Sequence, residues 1–552
     1  MPVNQRDDPI AGVRRAVHDA AESLGAGGVG DRLTLERPPQ ATLGDYSTNA
    51  AMLLAPGLGS PPREIAERLS EELATRLGEA VDRIEVAGPG FLNVFLSDRW
   101  HREAVADVLA AGDRFGAGEG GPRTIVEFVS ANPTGPVTAA SGRGAAFGDS
   151  LARLLAFLGG RVQREYYMND EGAQVRLFAE SIAARMRDEE PPPDGYAGEY
   201  VTELAAELRE SGADPSAIDE LERRGIETMR ARIEATLRRF GIEYDTWSSE
   251  RALHEAGALE AVVAELRERG HVYDSEGAVW LRTTEFGDDK DRVLIRGDGE
   301  PTYFAADIAY HRDKLARGAE RMIVPLGADH HGYVPRMKAA IAALGFDPSS
   351  YEAPIMQLVN IVDGDERARM SKRKGEFVAL DELIEDIGVD ATRYFMVQRS
   401  HDTTFDLDLE LARTQSQDNP VFYVQYAHAR IASILRKAEA EGVAVSESEV
   451  VAAGSAEAAL GATAEPAERA LVRRLLELPE QASTAAGRRA PHRLCAYATA
   501  AAADFHAFYR DCRVVGAEGE GVEAARLALC VAAKRTISST LHLIGVSAPE
   551  SM

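Results

Sequence analysis

Five basic residues, Arg367, Arg369, Lys372, Arg373 and Lys374, crowd into eight positions and are followed by Gly375. A glycine-ended basic loop can hold a polyphosphate and neutralise the charge that develops as it breaks. A solvated basic loop is the plainer alternative. A second segment, ANPTGPVTAASGRGAAFGD from Ala131 to Asp149, leaves a strand through Pro and Gly and enters a helix of small residues. Backbone N–H groups at such a helix start can meet an anion, and small side chains let a ligand or another helix approach closely. An ordinary tight turn has the same composition.

Polar groups also stand where strands should be apolar. Glu127 interrupts IVEFV, Asn132 follows it, and Tyr303 and Asp307 lie four apart around TYFAAD. Two acids aimed into one pocket suit a planar guanidinium. Pairing with an internal arginine such as Arg164 or Arg312 is the alternative, and spacing alone favours it. In GADHHGYVPRMKAA, from Gly327 to Ala340, the adjacent His330 and His331 point to opposite faces of an extended segment. With no third ligand nearby no metal site is expected. A ribose or an amino-acid group at the carboxyl edge of a sheet fits that segment better.

The elements that must position these groups follow from hydropathy. TIVEFV from Thr124, VQREYYM from Val162, RVLIR from Arg292, MIVPLG from Met322 and PIMQLVN from Pro354 read as strands alternating with helices. Strands apolar at nearly every position are buried on both faces, so a mostly parallel sheet between helices is expected. The Gly-rich stretch from Gly112 to Pro122 marks a boundary, and before it a helix with Ile65, Leu69, Leu73 and Leu77 packs on strands joined by Gly88-Pro89-Gly90. A charged helical insertion runs from the Pro-rich Glu189–Tyr196 loop to about Arg269, and no strand is expected after Asp408. Asn419 and Pro420 begin a helix lined by Val421, Val424, His428, Ile431 and Leu435; Glu439–Glu465 reads as a loop or arm. The fold class is therefore α/β: a Rossmann-like parallel-sheet domain over 122–407 with an insertion around 185–270, an N-terminal α+β domain over 1–112 and a C-terminal all-α bundle over 408–552.

The chain has 552 residues, 62 Lys plus Arg against 89 Asp plus Glu, and a formal charge of −27. With 45% hydrophobic residues it can bury several cores, which excludes a fibre or a disordered chain. Cys495, Cys512 and Cys530 form no CxxC pair, which argues against a disulfide framework and for a reducing, cytoplasmic setting. No apolar leader is visible and no stretch approaches the roughly 20 apolar residues that span a bilayer. The acidic balance argues against non-specific nucleic-acid binding but leaves room for a local basic groove.

In this order the segments resemble an arginyl-tRNA synthetase, a class I aminoacyl-tRNA synthetase. GDYSTNAAM (Gly44–Met52) and AGPGFLNVFL resemble that family's additional tRNA-contacting domain. VEFVSANPTGP, REYYMNDEGAQV, YAGEY, GADHHGYVPRMKAA, MSKRKG and GVDATRYFM resemble its catalytic domain, and NPVFYVQYAHARI resembles its anticodon-binding helices. The resemblance implies joining of L-arginine to ATP, taken with Mg2+, and transfer to the terminal ribose of arginine tRNA by a monomer that needs tRNA for activation. It implies Glu127, Asn132, Tyr303, Asp307 and His331 for arginine. For ATP it implies Gly135, Pro136, Gly142, Gly327, Asp329, His330, Met370 and Ser371, with Lys372 and Lys374 on the phosphates. Asn49, Asn93, Tyr423, Tyr426, Arg430, Arg510 and Arg513 are the implied tRNA contacts, with Arg436 on the same side. The chain departs at the HIGH-type motif, which reads Thr138-Ala139-Ala140-Ser141, and at Arg369, where a KMSK-type loop has lysine. Thr138 and Ser141 are expected to replace the histidines as donors, aided by the helix N–H groups. The alternative is an impaired synthetase-like protein that binds tRNA or arginine without catalysis.

Overall fold

Local signals set the ends of the first helices. The structure, a computed structural model, describes residues 8–25, 32–364, 366–367, 378–443 and 465–552. The side chain of Asp8 accepts the Ile10 N–H and Pro9 opens α1 (Pro9–Ser23), whose Ile10, Val13 and Val17 are buried. β1 (Leu35–Glu36), β2 (Tyr46–Thr48), α2 (Ala50–Leu58), α3 (Pro62–Leu77), β3 (Val81–Ala87), β4 (Phe91–Leu96) and α4 (Asp98–Ala111) complete the N-terminal part. Its four strands form an antiparallel sheet in the order β1-β2-β4-β3.

The central part begins with β5 (Arg123–Glu127), α5 (Ala139–Phe157), β6 (Arg161–Met168), α6 (Ala173–Met186), α7 (Glu199–Glu210), α8 (Ile218–Arg239), β7 (Thr246–Ser249), α9 (Glu250–Glu255) and α10 (Ala258–Glu268). It continues through β8 (Val272–Ser275), β9 (Ala278–Leu281), β10 (Arg292–Ile295), α11 (Tyr303–Ala316), β11 (Arg321–Ile323), β12 (Leu326–Gly327), α12 (Tyr333–Ala343), β13 (Tyr351–Glu352) and β14 (Ile355–Met356). β15 (Val359–Asp363), β16 (Glu366–Arg367), α13 (Leu380–Val397), β17 (Phe405–Asp408) and α14 (Leu409–Arg413) close it.

Five strands pair in parallel in the order β13-β11-β5-β6-β7. Alternate residues feed two cores: Ile125 and Met322 join the cluster with α11 and α12, whereas Val126 and Ile323 join the cluster with α5. The sheet is thus buried on both faces, as the apolar runs required. Three expectations need correction. PIMQLVN is not one strand of this sheet: it holds β14, which pairs with β12, and enters β15, which pairs with β16 and β17. RVLIR is β10, but it pairs antiparallel with β9 in a separate three-stranded sheet. Leu294 is its buried residue, and Arg292 on the same face is held by Asp288 at 2.7 Å. The helical insertion also returns a strand, β7, to the edge of the parallel sheet beside β6.

After β17 every described element is helical: α14, then α15 (Pro420–Ala440), α16 (Pro466–Leu475), α17 (Leu478–Gly487), α18 (His492–Asp511) and α19 (Val522–Leu543). Asn419 caps α15 by accepting from Val421 N and Phe422 N. Residues 444–464 of the expected arm lie outside the described residues. Buried polar pairs join the N-terminal and helical parts. Arg473 of α16 donates to Asp45 at 2.7 Å, both side chains being almost fully buried.

Candidate active site

The site is assembled at the carboxyl ends of β5, β6 and β11, where parallel strands leave an open edge. Beyond Glu127 the chain turns sharply: Val129 has φ 72, a conformation that costs a β-branched residue energy and marks a constrained turn. The turn sends Ser130 to accept from Tyr167 N at 3.1 Å, and Asn132 to donate to Gln174 at 3.0 Å. Tyr200 donates its hydroxyl to Thr134 O at 3.0 Å and packs over Gly135.

α11 supplies the opposite wall. Thr302 caps it, Tyr303 opens it with 66% of its surface exposed, and Asp307, Tyr310 and Lys314 follow at helical spacing on the face toward the sheet. Lys314 donates to Glu127 inside the protein and lies 4.1 Å from the Tyr310 ring centroid. Tyr333 donates to Asp307. The expected partners Arg164 and Arg312 serve other acids: Arg164 Nε donates to Asp149 at 3.1 Å and Arg312 Nε to Glu265 at 3.1 Å. A lysine inside the same pocket, not an external arginine, balances Glu127.

A further acid was not anticipated from the sequence. Glu250 begins α9 after β7, is 5% exposed, and leaves Oε2 buried without a partner. Burial first, then the charges of Asp307 and Asp170, push its carboxyl up to about 7. Asp307 is pushed up to about 6, by burial first and by Glu127 also, against the lowering effect of its Tyr333 hydrogen bond. The Tyr167 ring stacks on Tyr310 at 4.2 Å, and its buried hydroxyl lies beside Glu250 and opposes the rise of that carboxyl. The pocket thus holds Glu127, Asp307 and Glu250 against Lys314 and, beside Tyr333, Arg336, an excess of acid that a guanidinium would fill. Glu250 could have been found only by knowing that β7 rejoins the sheet.

Helix α5 begins with the segment expected to meet phosphates. Thr138 is its N-cap: Thr138 Oγ1 accepts from Ser141 N at 3.2 Å and lies 2.9 Å from Ser141 Oγ. The Ala139 N–H is taken by Val378 O at 2.9 Å, and Leu380 N returns a bond to Val137 O at 2.8 Å. The expectation that the helix start offers all its N–H groups is therefore corrected: Ala139 and Ser141 already spend theirs. Small residues do permit close packing. A Cβ on Gly142 would lie 2.9 Å from Leu380 Cδ1, and one on Gly148 2.3 Å from Phe128 Cγ.

Arg143, one turn along, is 2% exposed and has no carboxylate hydrogen-bond partner among the described residues. Its Nη1 donates to Gln357 O at 2.6 Å and Leu358 O at 3.3 Å, and its Nη2 to Ser400 O at 2.7 Å and Thr403 O at 2.9 Å. α5 is thereby tied to the residues that enter β15 and β17. Gly327, Asp329, His330 and His331 lie at the same edge as β5, between β12 and α12; Asp329 and His330 are 81% and 59% exposed and 3.4 Å apart. Pro136 lines a separate cleft with Tyr200 and Arg239. Met370, Ser371, Lys372 and Lys374, with Arg369 and Arg373, lie outside the described residues.

Of the residues expected to meet tRNA, Asn93 is withdrawn, because it is 5% exposed within β4. Phe91, on the same face and 40% exposed, reaches solvent instead. Asn49 accepts from Thr34 N at 3.0 Å, which holds a turn. On the helical part Arg430 donates to Tyr426 OH at 2.6 Å and lies over the rings of Tyr426 and Tyr509 at 4.5 and 4.9 Å. His506, 4.8 Å from the Tyr423 ring, joins this cluster, and Tyr509 is 43% exposed. Arg510 is paired with Asp511 at 2.8 Å, Arg513 donates to Val515 O at 3.1 Å and Arg436 to Glu550 O at 3.1 Å.

A parallel sheet with acids and a capped helix at its carboxyl edge, flanked by a helical bundle, is the arrangement of a class I synthetase. The family "Arginyl tRNA synthetase N terminal domain" matches residues 11–96, "tRNA synthetases class I (R), catalytic domain" residues 104–413, and "DALR anticodon binding domain" residues 424–552. An arginine–tRNA ligase of Frankia alni is 46% identical over 100% of both chains, and one of Heliobacterium modesticaldum 44% identical over 94% of this chain and 93% of its own. The solved arginyl-tRNA synthetase of Thermus thermophilus is 25% identical, with a TM-score of 0.75, over 98% of this chain and 99% of that one. The chain belongs to the arginyl-tRNA synthetase family of class I aminoacyl-tRNA synthetases.

Proposed function

We propose that this chain is an arginine–tRNA ligase. The arginine carboxylate attacks the α-phosphorus of ATP, pyrophosphate leaves, and the terminal ribose hydroxyl of arginine tRNA then attacks the arginyl carbonyl and releases AMP. One observation supports the arginine specificity: three carboxyl groups, the buried Glu127 and Glu250 and the half-buried Asp307, converge on Lys314 and Arg336, and Glu250 Oε2 has no hydrogen-bond partner among the described residues. Asn132, Tyr303 and His331 would complete the amino-acid site, with Tyr303 standing at its mouth.

ATP is taken as its magnesium complex, the cation belonging to the substrate. Thr138 and Ser141 would meet its phosphates. Because one hydroxyl donates to the other, the pair has one O–H left to give. The remaining work falls to Lys372 and Lys374, with Met370 and Ser371 beside them in the chain, all assigned here from the sequence. Gly135, Pro136 and Gly142 would act by letting Tyr200 and Leu380 pack closely and so shaping the loop that faces the nucleotide, and Gly327, Asp329 and His330 would hold the ribose. The helical part would read the anticodon through Tyr423, Tyr426 and Arg430, with Asn49, Arg510 and Arg513 as outer contacts. A monomer working in the cytoplasm completes the proposal; no described helix is long and apolar enough to cross a membrane.

The non-catalytic reading loses ground because the acidic pocket is complete and full-length relatives are arginine–tRNA ligases. The deciding experiment is arginine-dependent exchange of labelled pyrophosphate into ATP, with and without arginine tRNA. Exchange that appears with tRNA supports the ligase; tRNA binding without any exchange would replace it with the binding-protein reading.

A further inference from the structure

On the far side from the substrate edge, a cleft of about 480 Å³ opens between the central and helical parts, with walls from α5, β6, the end of α8 and the end of α19. Its floor carries an excess of cations. Asp149, 1% exposed, accepts from Arg153 Nε at 2.7 Å, Arg164 Nε at 3.1 Å and Arg393 Nη2 at 2.5 Å. Asp245 takes only the Arg164 backbone N–H, at 2.7 Å, so on the floor itself three guanidinium groups share the one carboxylate of Asp149.

The donors differ in how far they are used. Arg393 is fully engaged below the floor, giving Nε to Ile544 O and Nη1 to Phe240 O. Arg153 gives Nη2 to Gly241 O at 2.9 Å, but its Nη1 and both Nη groups of Arg164 find no acceptor among the described residues. The two side chains are 20% and 22% exposed, so these N–H groups open into the solvent-filled cleft rather than onto an open surface. The His542 ring on the α19 wall also has no described hydrogen-bond partner. At the rim, Arg238 is held by Glu234 and Glu243, so the unspent positive charge lies at depth. Phe157 adds an aromatic wall.

We propose that this cleft binds a phosphate monoester of a small molecule, its phosphoryl oxygens accepting from Arg153, Arg164 and His542 and its organic part lying on Phe157. Bidentate guanidinium donors match phosphate oxygens. Their depth favours a small ligand over an RNA backbone, which contacts exposed cations. Because the walls come from two parts of the protein, occupancy would clamp them together and raise thermal stability.

The test is calorimetric titration of the full-length protein with inorganic phosphate and with phenyl phosphate, alongside thermal melts. Phenyl phosphate is expected to bind one to one, more tightly than inorganic phosphate, and to raise Tm. Arg164→Gln should abolish this. Since Arg164 also serves Asp149, the decisive variant is Ala156→Glu, an exposed position at the cleft wall. It should weaken phenyl phosphate about tenfold or more by like-charge opposition and leave pyrophosphate exchange unchanged. Unchanged affinity in Ala156→Glu would place the ligand elsewhere and overturn the proposal. Failure of both probes to bind the unaltered protein, with Arg164→Gln weakening tRNA, would overturn it in favour of an RNA contact.

Discussion

Glu127 on β5 and Lys314 on α11 form an ion pair whose side chains are 7% and 0% exposed. The pair joins the sheet to the helix that carries Asp307, and it consumes the only cation that Glu127 meets there among the described residues. Removing one member of such a pair strands a buried charge, at a cost of about 3–5 kcal/mol. Lys314→Met should therefore lower stability by that amount, and Glu127→Gln added to it should recover most of the loss. Denaturation curves of both variants measure the difference; equal stability of the single and double variants would show that Glu127 is not charged in the folded state.

Arginine binding should depend on pH. Glu250 and Asp307 hold their protons up to about 7 and about 6 in the unliganded protein, because burial disfavours their charged forms. Their folded values lie above the unfolded ones, so the stability they confer is present at low pH and lost as pH rises through about 6 to 7. Binding a guanidinium needs the charged forms, so affinity should rise over the same window with release of protons. Titrations at pH 5.5 and 8 in buffers of different ionisation heat report both effects. Glu250→Gln should weaken arginine yet stabilise the unliganded protein at pH 8, by on the order of 2 kcal/mol.

The Thr138–Ser141 pair predicts a split between steps. Ser141→Ala removes one hydroxyl and the bond that orients the Thr138 hydroxyl, and should slow pyrophosphate exchange about 10²-fold while arginine affinity stays unchanged. Thr138→Ser keeps the cap and should retain activity, whereas Thr138→Val should lose about 1 kcal/mol of stability as well. Equal exchange rates in all three would remove these hydroxyls from the phosphate site.

Arg143 feeds four main-chain carbonyls from segments 357–358 and 400–403. Burial pushes its guanidinium down to about 10, still charged at neutral pH. A lysine has no planar fork and cannot span all four acceptors. Arg143→Lys should cost about 3 kcal/mol through carbonyls left unsatisfied, and thermal melts at neutral pH would show it. A variant with unaltered Tm would mean that the carbonyls find other donors.

On the helical part, Tyr509→Ala should free one face of Arg430 and weaken arginine tRNA by about 1–3 kcal/mol if that cluster stacks on a base. Filter binding over a salt series separates this from phosphate contacts, whose loss would flatten the salt slope.

The sequence by itself determined the inner strands of the parallel sheet and the start of α15, because two-faced burial leaves unbroken apolar runs and helix caps are local: Asn419 caps where its side chain allows. It also placed Glu127 and Asp307 in one pocket by motif. What only the tertiary structure decided is who answers them. Lys314 is 187 positions from Glu127, and Glu250 reaches the pocket only because β7 returns to the sheet after a long insertion. The same holds for Arg143, whose four carbonyl partners lie more than two hundred residues away. Hydropathy periods report whether a residue is buried. Which buried charge faces which is fixed by the crossing of distant elements, and no local pattern encodes that.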